Sequence, residues 1–577
     1  MILVKTRAVV WLTTLLLASC APSPFGDGEA PRAPRTLTLE ELPDIDVAEL
    51  GRHIEVLASD KFEGRAPGTA GEALTIDYLV RQFKELGLTP GNTDGTYVQQ
   101  VPLVGITGTG GPLTLRRGSA ERQLAWGDEV VAWTKHVAER ASIERSDMVF
   151  VGYGVVAPEH DWNDYKEVDV KGKTLVMMVN DPPVRRAGSS ELDPDLFGGE
   201  AMTYYGRWTY KFEIGAEKGA AGVLLIHETE AAGYPFAVVQ GSNLGEKFDL
   251  VTPEKNMGRV SIEGWIPVEQ GRRLFEIAGL NFDALKAQAR TREFQPVPLG
   301  VTASIEVRNR LRTVESKNVL AKLEGDDPAL KDQFVIYTAH WDHLGIGPAV
   351  GDDRIYNGAK DNASGTAGLV AVARAFTRLP ARPRRSVLFL AVTAEEQGLL
   401  GSQYYAATPV YPLAKTVANI NLDGLNVHGR TSDIILIGFG ASGLDDYVQA
   451  AAREQHRRVK PDPEPQNGYY YRSDHVNFAR RGVPALFPDE GVDGIGASAE
   501  ASMRLRREFT DRHYHKPSDD VKSDWDLSGA ADDLRLILAV GYRVAEADRM
   551  PEWKPGNEFR AIREAMLKEA GQAGGLF

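Results

Sequence analysis

Cysteine is almost absent from this chain of 577 residues, in which Cys20 is the single example. One cysteine excludes an internal disulfide and any zinc site built from cysteine thiolates. Basic residues are in the minority, with 66 Lys and Arg against 80 Asp and Glu and a net charge of −14. Because a nucleic-acid-binding protein needs a basic surface, this balance argues against that function. Long apolar runs are also missing after Cys20, so no later membrane span is expected.

The N-terminal residues account for the one cysteine. A short basic region is followed by a mostly apolar run over residues 8–17 and by small residues before Cys20. The run is too short to cross a bilayer core of roughly 30 Å, so it predicts a signal peptide over residues 1–19. This region is similar to a bacterial lipoprotein signal, in which the cysteine becomes the lipidated N-terminus. Residues 20–36 are rich in Pro, Gly and Ala and predict a flexible tether.

A lipid on Cys20 would make this an exported protein that is anchored to a bacterial membrane. The next residue is Ala21 rather than the aspartate that favours retention at the inner membrane in many Gram-negative bacteria. The periplasmic face of the outer membrane is therefore the expected location. The alternative is a plain secretory signal that happens to contain a cysteine.

The mature chain is long enough for at least two domains, because a single core rarely grows beyond about 250–300 residues. Helical and strand-like patterns cover residues 37–140, and several short strands with Gly/Pro turns over 141–300 predict a compact β-rich module. Over residues 301–550, short apolar runs alternate with helical patterns, which is typical of a largely parallel α/β sheet with helices on both faces. Residues 551–577 are predicted to be a C-terminal tail.

Polar residues that could bind metal follow the apolar runs of this last region. Each has an ordinary explanation when taken alone, such as a helix cap or a structural histidine. Together they would meet at one edge of the sheet, where buried and unpaired carboxylates would each cost several kcal/mol, so the cluster predicts a metal site. The candidates are His340 and Asp342 after the first run, Glu395 and Glu396 after the second, Asp423 after the third, Asp361 between the first two, and His515 near the C-terminus.

This pattern of His-x-Asp, Asp-Asn-x-Ser-Gly, Glu-Glu, Asp and His resembles metallopeptidase family 28, which holds co-catalytic zinc aminopeptidases with glutamate carboxypeptidase and glutaminyl cyclase relatives. The resemblance extends from about residue 53 to about residue 520. It implies a phosphorylase/hydrolase-like zinc exopeptidase fold, with a mixed, largely parallel central sheet flanked by helices. Residues 141–300 resemble a protease-associated (PA) domain inserted into that fold, either as a lid or as a stabilising accessory domain.

The family also implies roles for individual residues. Glu395 would be the general base, and Asp342 would orient the imidazole of His340. His475 lies in a loop that faces the substrate in the family, and it would hydrogen-bond the oxyanion where some relatives carry tyrosine. The donor set of nitrogen and oxygen atoms suits two zinc ions, with Mn²⁺ or Co²⁺ as replacements. The implied ligands are His340 and Asp423 for one zinc, Glu396 and His515 for the other, and Asp361 as the bridge between them.

Two features of the backbone follow. Adjacent residues of an extended strand point to opposite sides, so Glu395 and Glu396 can both serve one site only if the chain bends. We therefore expect an irregular turn over residues 394–397. The family carries a cis peptide after its bridging aspartate, and we expect one between Asp361 and Asn362.

The sequence therefore predicts a di-zinc metallo-exopeptidase that acts on peptides and touches a membrane only through its lipid anchor. The choice of an aminopeptidase rests on its frequency in the family. A carboxypeptidase or a glutaminyl cyclase-like enzyme on the same scaffold is the first alternative, and a catalytically silent binding protein is the second. Silent relatives lose ligands, whereas every ligand position is filled here. The neighbouring His343 and His513 are interpreted as structural or solvent-facing.

Overall fold

A computed structural model describes residues 32–574. The predicted signal peptide, the lipid site Cys20 and most of the predicted tether lie outside these residues. The end of the tether is included: Arg32 Nη2 lies 2.6 Å from Glu546 Oε1, and the Arg35 N–H donates to the same carboxylate at 2.7 Å. Within residues 32–574, none of the helices is long and apolar enough to cross a membrane.

Nine strands follow one another between the second and third α-helices, and strands and helices are interspersed in the rest of the described chain. The strands are β1 (Thr89–Pro90), β2 (Val98–Gly110), β3 (Leu113–Arg117), β4 (Ala120–Leu124), β5 (Val131–Trp133), β6 (Arg140–Phe150), β7 (Val156–Ala157), β8 (Trp162–Asn163), β9 (Thr174–Met178), β10 (Gly222–His227), β11 (Glu246–Leu250), β12 (Ile262–Pro267), β13 (Val297–Leu323), β14 (Phe334–His340), β15 (Gly345–Val350), β16 (Asp353–Tyr356), β17 (Ser386–Val392), β18 (Thr416–Asn421), β19 (Asp433–Ile437), β20 (Arg458–Pro461) and β21 (Ala485–Asp489). The helices are α1 (Val47–Leu57), α2 (Ala70–Glu85), α3 (Trp208–Glu217), α4 (Thr229–Ala232), α5 (Phe236–Asn243), α6 (Val268–Ile277), α7 (Phe282–Gln288), α8 (Gly365–Thr377), α9 (Leu400–Ala407), α10 (Leu444–Glu454), α11 (His475–Ala479), α12 (Ala499–Arg512), α13 (Ser528–Glu546) and α14 (Arg560–Gly574).

The sheet formed by residues 301–550 is centred on β14, which pairs in parallel with β17 on one side and β18 on the other. β21 continues the parallel order beyond β18, while β13 and β19 run antiparallel to their neighbours at the two ends. Successive residues of a strand point to opposite faces. Accordingly, Val335 and Tyr337 pack in the core with α8 and α13, whereas Ile336 packs with Tyr405 of α9 and Phe478 of α11. The predicted mixed, largely parallel α/β fold is confirmed.

The insert contains more helix than the predicted β-rich module. Its centre is a parallel layer of β6, β9, β10 and β12, with α3, α6 and α7 packed in the same apolar core. The long strand β13 passes through both parts of the molecule. Residues 297–308 of β13 pair with β6 of the insert, and residues 319–323 pair with β17 of the sheet that is centred on β14. β2 pairs with β13 between these two regions, and β11 adds a third strand over residues 103–107 of β2, so a narrow ribbon joins the parts.

The C-terminal segment differs from the predicted tail. It contains α14, and the buried Arg563 of this helix donates hydrogen bonds to the carbonyls of Leu413 at 3.1 Å and Thr416 at 2.9 Å. These contacts join α14 to the start of β18. The sequence pattern misses them because the partners lie far apart along the chain.

Candidate metal centre

The predicted ligands follow three neighbouring parallel strands. His340 is the last residue of β14, the Glu395–Glu396 pair follows β17, and Asp423 follows β18. The carboxyl ends of parallel strands open at the same edge of a sheet. This topology brings the side chains together there, with Asp361 arriving from the loop before α8 and His515 from the loop after α12.

The carboxylate of Asp361 stands between two histidines. Its Oδ1 lies 3.3 Å from His340 Nε2, and its Oδ2 lies 3.2 Å from His515 Nε2. On the far side of His340, the same Nε2 lies 3.2 Å from Asp423 Oδ1. Donor atoms about 2.0–2.2 Å from a tetrahedral zinc lie roughly 3.3–3.6 Å from one another. The spacing therefore fits donor atoms around shared ions, with one oxygen of Asp361 on each side.

Glu396 completes the side of the centre that holds His515. Its Oε2 lies 2.9 Å from His515 Nε2, and its Oε1 lies 2.6 Å from His343 Nδ1. The Nε2 atom of His515 is buried yet makes no hydrogen bond with these carboxylates. A buried donor atom without a hydrogen bond, surrounded by carboxylate oxygens, is the arrangement expected of a metal ligand. His343, which the sequence analysis interpreted as structural, is fully buried against a candidate ligand.

The chain bends after β17, as predicted. Ala394 adopts a left-handed conformation with φ of 52°, and the Glu395 N–H donates to Asp342 Oδ1 at 3.1 Å. The bend turns the two glutamates to different partners. Ligand atoms of Glu395, His340 and Asp423 lie within 4.8 Å of one another, whereas Glu396 contacts His515 and His343. The expected irregular turn at residues 394–397 is confirmed, and so is the cis peptide between Asp361 and Asn362.

The surroundings of the two adjacent glutamates shift their side-chain pKa values in opposite directions. Burial raises the pKa of Glu395 well above its usual value, and repulsion from Asp423 and Glu396 adds to the rise. Burial acts in the same direction on Glu396, but attraction to His515 and His343 outweighs it and lowers the pKa to about 2. A pair of carboxyl groups with divergent pKa values is the usual basis for assigning different roles in one site.

The contact that orients His340 differs in detail from the prediction. His340 Nδ1 is 3.1 Å from the main-chain oxygen of Asp342 and 3.8 Å from its carboxylate. The main-chain oxygen therefore takes the hydrogen bond that was predicted for the side chain. The Asp342 carboxylate is fully buried and instead holds the Glu395 N–H, so it stabilises the bend after β17.

A chain of three buried hydrogen bonds, which was not predicted from the sequence, ends at the carboxylate of Asp423. We call it the relay. The Ser473 hydroxyl donates to Asp423 Oδ2, the Asn421 amide donates to Ser473 Oγ at 2.7 Å, and Thr338 donates to Asn421 Oδ1 at 2.6 Å. Ser473, Asn421 and Thr338 are all buried. Hydrogen bonds of this kind fix the orientation of a ligand and tune its affinity for metal. Ser473 lies two residues before His475 in the loop that resembles the family, but the family implied no role for it. Asn421 and Thr338 are polar residues within strands and belong to no motif.

Two further groups hold the loops that carry ligands. The Asp519 carboxylate accepts the main-chain N–H groups of Lys360 at 2.9 Å and Asp361 at 3.0 Å. The buried Arg65 guanidinium donates to the carbonyls of Trp341 at 2.8 Å and Gly358 at 2.9 Å. These bonds fix the backbone that follows His340 and the backbone that leads into Asp361.

The structure does not bring His475 together with the ligands. Its ring lies between Tyr470 and Phe487, with centroids 4.7 and 4.8 Å away, and neither ring nitrogen makes a hydrogen bond. Burial lowers the pKa of His475 to about 3. His475 is therefore a neutral residue that packs between two aromatic rings. The expected role as hydrogen-bond donor to the oxyanion does not agree with this position. His513 lines a cavity of about 190 Å³ beside Lys360.

The chain is similar to a family of peptidases and to several aminopeptidases. Residues 318–539 match the model of Peptidase family M28. Probable leucine aminopeptidase 2 of Aspergillus fumigatus is 24% identical over 404 residues, which cover 67% of this chain and 70% of that protein. Aminopeptidase YwaD of Bacillus subtilis is 27% identical over 229 residues, 39% of this chain and 44% of that protein. A solved aminopeptidase from Aneurinibacillus sp. strain AM-1 is 20% identical with a TM-score of 0.44, covering 90% of this chain and 96% of its own.

The matched segment runs from the end of β13 to α13 and contains every predicted ligand together with Glu395. The chain spans most of one of these curated relatives and less than half of the other. The match confirms the predicted enzyme class: this chain is a zinc metallopeptidase, a hydrolase.

Proposed function

We propose that this protein is an aminopeptidase that uses two zinc ions to release N-terminal residues from peptides. The observation that carries the proposal is the position of Asp361, whose two carboxylate oxygens face different histidines at 3.2–3.3 Å. A carboxylate placed in this way suits a bridge between two metals. His340 and Asp423 would complete one metal position, and Glu396 and His515 the other.

Bound zinc would polarise the scissile carbonyl and make water acidic enough to ionise near neutral pH. The residues of the chain supply the remaining steps. Glu395 lies beside His340 and Asp423 rather than among the contacts of His515, and its raised pKa suits a group that gains and loses a proton. It would remove the proton from the attacking water and pass it to the leaving amine. The relay through Ser473 would keep Asp423 fixed during both transfers.

Preference for the N-terminus of the substrate is tested with matched peptides. Free aminoacyl peptides should be cleaved one residue at a time from the N-terminus, whereas N-acetylated versions of the same peptides should resist. Chelation should abolish release, and added zinc should restore it. Release from the carboxyl end of acetylated peptides would identify a carboxypeptidase. Absence of cleavage, with fewer than one zinc per chain, would indicate a silent binding protein.

We also propose that the mature protein is anchored through a lipid on Cys20 at the periplasmic face of the outer membrane. The basis is the sequence alone: an apolar run, small residues and then a cysteine followed by alanine. The Cys20→Ser variant should lose the lipid, and membrane fractionation should then find it outside the outer-membrane fraction. An equal membrane fraction for the variant and the native chain would contradict the anchor.

A further inference from the structure

The insert contacts a segment of the catalytic domain that leads directly to the metal centre. We call residues 465–480 the bridging segment. At its start, the Met202 N–H of the insert donates to the Pro465 carbonyl at 3.1 Å, and the Met202 side chain packs against Gly468. At its end, Arg480 Nη2 lies 2.7 Å from Glu213 Oε2 of the insert. The insert therefore holds the bridging segment at both ends.

An aromatic contact strengthens the second of these attachments. The Tyr204 ring of the insert lies under the Arg480 guanidinium, 4.6 Å from centroid to Cζ, and its hydroxyl donates to Glu213. The same ring lies 5.9 Å from the ring of Tyr471 in the bridging segment. Arg480 and Glu213 are about one-third exposed, at 34% and 29% of their side chains, so solvent screens the ion pair only in part.

Between its two ends, the bridging segment contacts Asp423 and the residues that follow the turn carrying Glu395 and Glu396. Ser473 donates to Asp423, the predicted ligand after β18. Asp474 Oδ1 accepts a hydrogen bond from Ser402 at 2.5 Å, and the Asn477 amide donates to Leu399 O at 3.0 Å. Leu399 and Ser402 directly follow the turn that carries Glu395 and Glu396. A shift of this segment would therefore move the supports of a ligand and of the base together.

We propose that Tyr204 and Glu213 of the insert are positioning residues for the metal centre. They act through Arg480, which fixes α11 and with it the Ser473 hydroxyl that holds Asp423. This inference rests on the proposed metal site and assigns the insert a role in the affinity of that site for zinc. The role is distinct from covering the substrate, because it operates in the absence of peptide.

The test compares zinc affinity, measured by competition with a chromogenic chelator, in variants of the full chain. Glu213→Gln and Arg480→Met should each weaken zinc binding by about three- to tenfold, which is typical of residues that act on a site through others. Arg480→Lys keeps the charge and should remain near the native affinity. Ser473→Ala removes the last step of the path and should weaken binding by about 10–100-fold. With peptide substrates, kcat should fall in the same order while KM changes little.

The matched control is Arg272→Met, which removes an ion pair of 2.6 Å with Asp283 inside the insert and should leave zinc affinity unchanged. A lower thermal midpoint for Glu213→Gln with native zinc affinity would overturn the inference, because the contact would then only stabilise docking. If a charge variant folds poorly, the milder Tyr204→Phe variant, which loses only one hydroxyl, allows zinc affinity and thermal midpoint to be compared in the same way. If the native chain binds zinc but cleaves no peptide, the proposed function fails while the affinity series still decides this inference.

Discussion

Glu395→Gln is expected to lower kcat by about 10²–10⁴ while the zinc content of the protein stays at the native level. Glutamine has nearly the shape of glutamate but cannot accept the proton of an attacking water, and proton transfer by a positioned side chain contributes about that factor. Metal should remain because the proposed ligands contact one another without Glu395: Asp361 lies 3.2–3.3 Å from His340 and His515, and Glu396 lies 2.9 Å from His515. Steady-state kinetics and metal analysis on the same preparation measure both quantities.

The adjacent residue provides the sharpest control. Glu396→Gln is the same substitution one position along the chain, yet it should reduce zinc content because Glu396 lies 2.9 Å from His515 Nε2. Glu55→Gln, on the exposed face of α1, should change neither property. Loss of zinc from the Glu395 variant, with zinc retained by the Glu396 variant, would reverse the two assigned roles.

The sequence predicted that both glutamates belong to the site but could not derive their separate roles from the residues themselves. The difference arises from tertiary contacts. His515 and His343 reach Glu396 from distant positions, and the resulting attraction lowers its pKa to about 2. The bend at Ala394 was predictable, since adjacent side chains of a straight strand could not share one centre.

The catalytic sheet was predicted more completely than the insert. Strands β14, β17 and β18 are short apolar runs that are buried on both faces, and this pattern is distinctive when helices separate the runs. The insert also contains a parallel layer, but its strands alternate with irregular segments and short helices. Periodicity therefore indicated many short strands there and did not reveal their parallel order. The ribbon formed by β2 and β13 depends on pairing between residues far apart in sequence.

Supporting residues were the hardest part of the site to predict. Ser473 and Asn421 act through hydrogen bonds that exist only after β18 and the bridging segment meet. His475 shows the opposite error: its place in a motif suggested contact with substrate, but the first turn of α11 directs its ring towards Tyr470 and Phe487. Motif spacing predicts which loops converge, whereas the direction of each side chain depends on the local backbone.

Asp361→Ala is expected to abolish both the catalytic activity and the stabilisation of the protein by zinc. A ligand that binds only the folded chain stabilises it by about 2.7 kcal/mol at 100 times its Kd, which for a domain larger than about 250 residues corresponds to roughly 3–5 °C in thermal midpoint. The native protein should show this rise when zinc is added to the metal-free form. The variant should not, because the two carboxylate oxygens of Asp361 lie 3.2–3.3 Å from the histidines of both metal positions.

The Asp361 variant should still fold, since the main-chain N–H groups that Asp519 holds are unchanged by the substitution. Its circular dichroism spectrum in the metal-free state should therefore match that of the metal-free native protein. Asp352→Ala, in the exposed turn between β15 and β16, is the matched control and should keep the full zinc-dependent rise. A native-sized rise in the Asp361 variant would contradict a bridging role, because each metal position would then retain its affinity without the shared carboxylate. Loss of only part of the rise, with one zinc still bound, would assign Asp361 to a single position.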